Sequence, residues 1–412
     1  MPTSRHDVVI VGAGQAGLAM SHCLSRRDID HVVLERHEVA SAWTRQRWDS
    51  LRLLTPNWMT RLPGADVFDG PADGFAPASD VAVHLRNYAS TIGAPVITNC
   101  AVERIEPDAF GWRVSTSAGT FSSRAVVLAT GPGTTQRTPA VATGLPASLR
   151  TIGALEYKNP DAIEEGGVLV VGASASGTQI ADELARAGRS VVLAVGEHVR
   201  AVRSYRGHDL YWWLDRTGLL DERYDTVDDV RRVRATPSFQ LVGSDHGRRV
   251  DLDALQSRGV QLAGRLVGTE RERVTFSGSL ANVCASADLK LERLLSQFDQ
   301  FASEHGLDDL TDPWRPDRTI VPEPRLEVRT EALRTVIWAT GHTPTFPDIA
   351  ASVFDRRGRL VHDGGVVGTT GLYVLGLPFL RRRRSSFIDG AGADAEDLAE
   401  RIAAHCGIRS VA

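Results

Sequence analysis

Asp7-Val-Val-Ile-Val11-Gly12-Ala-Gly14-Gln-Ala-Gly17 decides the fold. An apolar run of strand length enters a glycine-rich turn, a helical stretch extends from Gln15 to about Arg27, and a second strand follows at His31-Val-Val-Leu-Glu35. Each turn position has a task. Gly12 permits the tight bend, Gly14 lets a pyrophosphate reach the backbone, and Gly17 allows the helix to pack closely on the strand. Gln15 and Ala16 open the helix, whose unpaired N–H groups and dipole favour phosphate. Glu35 lies 23 residues after Gly12, where a strand-end carboxylate accepts hydrogen bonds from ribose hydroxyls, and Arg36 stands beside it. The pattern predicts a βαβ unit that binds a dinucleotide.

Farther along, Val168-Leu-Val-Val171-Gly172-Ala-Ser174-Ala175-Ser176-Gly177 repeats the strand and turn, a helix is expected from about Thr178 to Ala187, and Ser190-Val-Val-Leu-Ala194 is the next strand. Serine replaces the middle glycine and is small enough to leave room for a phosphate. The same count of 23 from Gly172 ends at Val195, which is not acidic, and Gly196, Glu197, Arg200 and Arg203 lie beyond it. With no carboxylate at the adenosine 2′ position, Arg200 and Arg203 are expected to pair a 2′-phosphate, which favours NADP over NAD; the other reading turns Glu197 inward to a ribose. Two strand ends also echo each other, Ala129-Thr130-Gly131 and Ala339-Thr340-Gly341, so Gly131, Thr340 and Gly341 are expected at the cofactors.

Composition narrows the class. The 412 residues are 42% hydrophobic and 24% charged, the balance of a folded globular chain. Lys plus Arg number 47 against 51 for Asp plus Glu, so no global basic field would hold nucleic acid or an anionic membrane. Cys23, Cys100, Cys284 and Cys406 lie far apart without a CxxC, which offers no metal site and no dithiol relay and suits a reducing compartment. The early strand leaves no room for a signal peptide, and no apolar run approaches the roughly 18 residues of a membrane span; a cytoplasmic protein is expected.

Residues 43–77 are rich in Trp, Pro, Gly and Asp without a sustained period, as suits an irregular segment over a functional face, and Trp43 and Trp48 are expected beside a cofactor. Leu291, Leu294, Leu295, Phe298 and Ala302 follow helical spacing up to Gly306. His208, Asp209, Tyr211, Trp212 and Trp213 read as an aromatic packing cluster in preference to a substrate loop, and Arg381 to Arg384 as solvated or phosphate-facing. A final helix is expected from Ala395 to Cys406 with Asp394 at its N-cap.

Two dinucleotide folds in one chain call for one tightly held and one exchanging cofactor, because hydride transfer needs a donor nicotinamide against an acceptor ring. The acceptor is most simply FAD in the first fold, with NADPH in the second. The Gly12 motif with Glu35, the Gly172 motif and the two Ala-Thr-Gly strings resemble the two-dinucleotide-domain flavoproteins, and their spacing looks like that of the class B flavoprotein monooxygenases over nearly the whole chain. Trp48-Asp-Ser-Leu-Arg-Leu-Leu-Thr-Pro56 and Ser386-Phe-Ile-Asp-Gly-Ala-Gly-Ala-Asp394-Ala extend the resemblance toward its bacterial branch.

The fold expected is α/β: an FAD-binding domain of residues 1–158 and 342–412, and a Rossmann-like NAD(P)H-binding domain, 159–341, inserted in it with a helical insertion at about 281–323. The resemblance implies an FAD-dependent, NADPH-consuming monooxygenase that uses O2 on a small organic substrate, at nitrogen or sulfur, through a flavin C4a-hydroperoxide shielded by retained NADP⁺. The alternatives are an NAD(P)H dehydrogenase or oxidase without oxygen insertion, and a flavin-bound sensor without turnover. Oligomeric state is not legible. The segment from Gly390 and Gly392 to Asp394 is expected to aim its helix at the flavin's pyrimidine edge. Departures bear on the chemistry: the family's signature before the second domain matches only at Tyr157-Lys158, leaving Ala147, Leu149 and Gly153 where Phe, Gly and His stand. Leu54 occupies a position where many heteroatom-oxidising members carry Asn, so Thr55, Asn57 and Tyr157 are the candidates for shielding the reacting centre.

Overall fold

A mixed sheet and a parallel sheet carry the two turns in a computed structural model that describes residues 4–408 apart from 134, 245–246, 271 and 308–309. The chain begins with β1 (Ser4–Val11), α1 (Gln15–Ser25) and β2 (His31–Leu34), and α2 (Ala78–Thr91) leads to β3 (Val96–Ile97). An antiparallel meander, β4 (Val102–Pro107), β5 (Trp112–Thr116) and β6 (Gly119–Leu128), then returns to the far side of β1. The second unit holds β7 (Arg150–Gly153), β8 (Gly167–Val171), α3 (Ala175–Arg186), β9 (Val191–Ala194), α4 (Leu210–Arg216) and β10 (Gln261–Ala263). A small antiparallel sheet of β11 (Leu266–Glu270), β12 (Arg273–Phe276) and β13 (Glu327–Arg329) is interrupted by α5 (Leu280–Glu304), after which β14 (Leu333–Trp338) completes the unit. The chain re-enters the first sheet through β15 (Asp348–Ile349), β16 (His362–Asp363), β17 (Val366–Val367) and β18 (Leu372–Val374), and ends in α6 (Gly390–His405).

Both units repeat one order of four parallel strands, β3-β2-β1-β6 in the first and β10-β9-β8-β14 in the second; a fifth parallel strand is the late β18 beside β6 in the first and the early β7 beside β14 in the second. Helices or loops cover both faces of such a sheet, so its central strands must be apolar throughout. Val8 to Val11, Ala125 to Leu128, Val168 to Val171 and Val336 to Trp338 are buried accordingly. The second sheet also includes residues 150–153 through β7, a stretch that the sequence reading left in the first domain.

Two further expectations are corrected. Helix α6 starts at Gly390 with Asp389 as its N-cap residue, one turn before the expected start, because the small residues Gly390 to Ala393 pack as the helix's first turn. Arg381, Arg382 and Arg384 are largely withdrawn from solvent, and none of the four arginines lines the cleft between the turns. Arg381 and Arg382 pair with Asp397 and Asp394 of α6, while Arg383 reaches Glu222 and Arg384 reaches Asp215 and Asp221 in the second unit. The run clasps the two units together. The aromatic residues around 208–213 do pack: Trp213 is buried and stacks on Phe298 of α5 at 5.3 Å, and His208 stacks on Trp212 at 3.8 Å.

Candidate functional site

Both turns open into one cleft of about 1320 Å³. On the first unit's side it is lined by Gly12, Gly14, Gln15, Ala16, Glu35 and Arg36, and by Trp43, Trp48 and Gly131. On the second unit's side stand Gly172, Ser174, Ala175 and Ser176, with Thr340 and Gly341 at the crossover. The local chemistry explains the pattern. Gly12 and Gly172 adopt φ of +108° and +109°, a region that costs a side chain dearly. A Cβ on Gly17 would lie 1.9 Å from the Gly12 carbonyl oxygen, and one on Gly177 1.8 Å from that of Gly172, so these two glycines sit behind the turns as packing residues. Gly14, in contrast, faces open space, since a Cβ there would meet nothing within 4 Å.

Neither α1 nor α3 has a side-chain cap, so each offers its first N–H groups to the cleft. Glu35 braces its turn: its carboxylate accepts from the backbone N–H of Ala13 at 2.9 Å and of His37 at 3.0 Å. Arginines 36, 45, 47, 137, 234 and 265 line the cleft against Glu35 and Glu197, a cationic excess that suits pyrophosphates. These features fit two dinucleotides bound at their phosphates.

The irregular segment is pinned into the cleft by Lys158, whose Nζ donates to the carbonyls of Arg45 at 2.7 Å and Arg47 at 3.0 Å. Asp49 N–H donates back to the Lys158 carbonyl, and Asn159 holds the Asp49 carboxylate at 2.6 Å. This positions Trp43, Arg47 and Trp48, with Leu51 and Leu54 adding apolar lining. The role of Lys158 was missed in the sequence, although the Tyr157-Lys158 match was its signal.

The three catalytic candidates lie elsewhere. Tyr157 is wholly buried and donates to Glu183 at 2.9 Å, tying the loop to α3, and burial followed by that carboxylate pushes its hydroxyl's pKa up. Asn57 is buried and holds residues 71–76, donating to the Pro71 carbonyl and accepting from Ala76 N–H. Thr55 is not among the cleft residues. At Gly153, Gln136 fills the space a side chain would need: a Cβ there would meet it at 2.9 Å, and its amide joins Ala154 N–H to the Gly341 carbonyl. His342, unmarked by any sequence signal, lines the cleft with its pKa lowered by burial and then by Arg47, which keeps the ring neutral.

The proposed 2′-phosphate readers are also corrected. Arg200 is 5% exposed and is held by Asp288 at 2.6 Å and the Asp317 carbonyl at 2.7 Å. Arg203 donates to the carbonyls of Leu54 and Val242 and to Asp209. Neither lines the cleft, because both charges are neutralised inside the protein. Asp394 is buried and paired with Arg382 at 2.7 Å, while Gly390 packs on the Arg384 carbonyl and Gly392 on Pro63, so all three stand outside the cleft too. All four cysteines are free and buried; burial pushes Cys23 to about 12 and Cys284 and Cys406 to about 11, poor values for a thiol relay.

Comparison with known proteins agrees with this geometry. Residues 9–213 match the pyridine nucleotide-disulphide oxidoreductase family. An uncharacterized CzcO-like oxidoreductase of Geobacillus kaustophilus is 29% identical over 406 residues, covering 97% of this chain and 99% of its own. The probable indole-3-pyruvate monooxygenase YUCCA1 of Arabidopsis thaliana is 32% identical over 202 residues, 48% of this chain and 49% of its own. The flavin-containing monooxygenase of Stenotrophomonas maltophilia shares the fold with a TM-score of 0.69 at 18% identity, covering 98% of this chain and 100% of its own. Fold, turns and family match define a flavin oxidoreductase with two dinucleotide-binding domains. Over about half its length the chain is similar in sequence to the plant monooxygenase, and it shares its fold with the bacterial flavin-containing monooxygenase.

Proposed function

We propose that the chain holds FAD through Gly12, Gly14 and the braced Glu35, takes NADPH at the Gly172 turn, and transfers one oxygen atom from O2 to a small organic substrate at nitrogen or sulfur. The observation that carries this reading is that both turns open into one cleft, an arrangement in which a nicotinamide and a flavin could meet. Bound flavin would supply the redox and oxygen chemistry. The protein's own part is to bind, orient and exclude water: Trp48, Leu51 and Leu54 give an apolar wall, and Lys158 keeps their segment in place. Gly14 leaves room for the pyrophosphate, and the four free, buried cysteines offer no dithiol to divert electrons. Among the described residues no helix is long and apolar enough to cross a membrane.

A second reading, an NADPH oxidase or dehydrogenase, draws on Gly153, where Gln136 fills the place of the signature imidazole. One experiment separates the two. The purified protein should be yellow, bleach with NADPH under anaerobic conditions, and on admission of oxygen give oxygenated product from a panel of amines and sulfides. Stoichiometric hydrogen peroxide with every panel member would move the assignment to the oxidase. A colourless protein that takes up no added FAD would remove both.

A further inference from the structure

The two units can be superposed hydrogen bond by hydrogen bond. Gly12 N–H donates to the Leu34 carbonyl at 2.8 Å, and Gly172 N–H donates to that of Ala194 at 2.9 Å, so Val195 stands where Glu35 stands in the first unit. One strand over, Glu35 N–H donates to Ile97 and Val195 N–H to Ala263, each at 2.9 Å, which places Arg265 in the position of Asn99. At the strand-end corner where an adenosine ribose lies, the first unit therefore presents a carboxylate. The second presents valine with an arginine on the neighbouring strand.

Other charges near this corner are committed elsewhere. Arg200 and Arg203 are neutralised internally, and Glu197 extends to Lys290 at 3.2 Å. Arg234, which also lines the cleft, donates to the Phe379 carbonyl at 3.2 Å, on the first unit's C-terminal segment. Arg265 is exposed, lines the cleft, and makes no ion pair among the described residues. Its backbone is fixed: Ser277 N–H donates to the Arg265 carbonyl at 2.9 Å, and at Gly264 a Cβ would lie 1.9 Å from the Ser277 oxygen. Neighbouring strands run about 4.8 Å apart, so a guanidinium rooted at the end of β10 spans the end of β9 within one side-chain length.

We propose that Arg265 reads the adenosine 2′-phosphate and sets the preference for NADPH, taking the role that Arg200 and Arg203 cannot fill. The planar fork of arginine pairs a phosphate bidentately, whereas the 2′-hydroxyl of NAD gives it no anion to meet. This rests on the NADPH reading above, and a binding experiment without turnover tells the two apart. FAD-loaded enzyme is titrated calorimetrically with NADP⁺ and with NAD⁺, in wild type, Arg265→Ala and Arg265→Lys. Wild type should prefer NADP⁺ by roughly ten- to a hundredfold, Arg265→Ala should lose most of that ratio through NADP⁺ alone, and Arg265→Lys should recover part of it. Because Arg265 is exposed, the variants should keep the wild-type flavin spectrum and melting temperature. A preference for NADP⁺ that survives in Arg265→Ala would overturn the role of Arg265 and leave the NADPH reading standing. Equal wild-type affinities for the two nucleotides would overturn both.

Discussion

The Gly12 and Gly172 turns share a backbone and differ in electrostatics. Both bend through a left-handed glycine, both seat a helix on a glycine without room for a Cβ, and both hold the strand end by the same hydrogen bond. The first adds Gly14 and Glu35, while the second has Ser174 and Val195, with Arg265 beside the latter. Steric requirements of the turn are therefore kept twice, and the residues at the proposed ribose corner vary between the copies. A resident cofactor and an exchanging one need only that difference.

The largest effects come from separating those two kinds of position. Gly17→Ala forces a Cβ onto a backbone oxygen, and the apoprotein should lose more than about 3 kcal/mol in a denaturant titration or fail to fold. Gly14→Val fills open space and should fold normally, yet emerge colourless because the branched side chain occupies the path of the pyrophosphate. Ser174→Val is the matching change in the second unit. It should stay yellow and lose reduction by NADPH. If Ser174→Val bleached the protein of flavin, the assignment of cofactors to the two turns would be reversed.

A smaller effect is expected where the units are joined. Arg384 is nearly buried between Asp215, Asp221 and Asp389, and burial already lifts the Asp389 carboxyl from 3.8 to about 6. A carboxyl whose folded pKa exceeds its unfolded one binds its proton more tightly in the fold, so it costs stability as pH rises from its unfolded toward its folded pKa. Arg384→Ala removes the charge that holds this shift in check. The variant should lose about 3–5 kcal/mol at pH 8, and distinctly less at pH 5, where Asp389 is protonated in the fold. A loss that does not change with pH would mean that Arg384 acts through Asp215, Asp221 and packing and not through Asp389.

What the sequence made legible follows the same division. The two glycine turns and the repeat of strand, turn and helix around them were readable because backbone geometry restricts residue choice at Gly12, Gly17, Gly172 and Gly177. Positions that act through a distant partner were not. Arg200 lies close to the right strand end in sequence, but its charge is spent on Asp288 of α5, which is 88 residues away. Arg265, proposed for that corner, follows the next strand, a neighbour that no local motif marks. Asn57 and Tyr157 are polar residues near the motif whose hydrogen bonds turn inward, and the clasp of Arg381 to Arg384 is visible only once α4 and the segment after it are placed against α6.

The smallest expected effect tests the Tyr157-Lys158 pair, the one surviving piece of the family's signature. Its two members face different tasks: the tyrosine hydroxyl ties the segment to Glu183 on α3, and the lysine fixes the carbonyls that set Trp43 to Trp48 in the cleft. Tyr157→Phe keeps the ring and removes one hydrogen bond, so stability should fall by about 0.5–1.5 kcal/mol with flavin reduction by saturating NADPH unchanged. Lys158→Met keeps the aliphatic stem and frees the segment, so it should raise the KM for the substrate while kcat falls little, because the segment orients and shields rather than reacts. A drop of more than about tenfold in flavin reduction for Tyr157→Phe at unchanged stability would return that hydroxyl to the reacting groups. The Glu183 contact argues against that outcome, since a phenol whose hydrogen is engaged on α3 has none to offer the cleft.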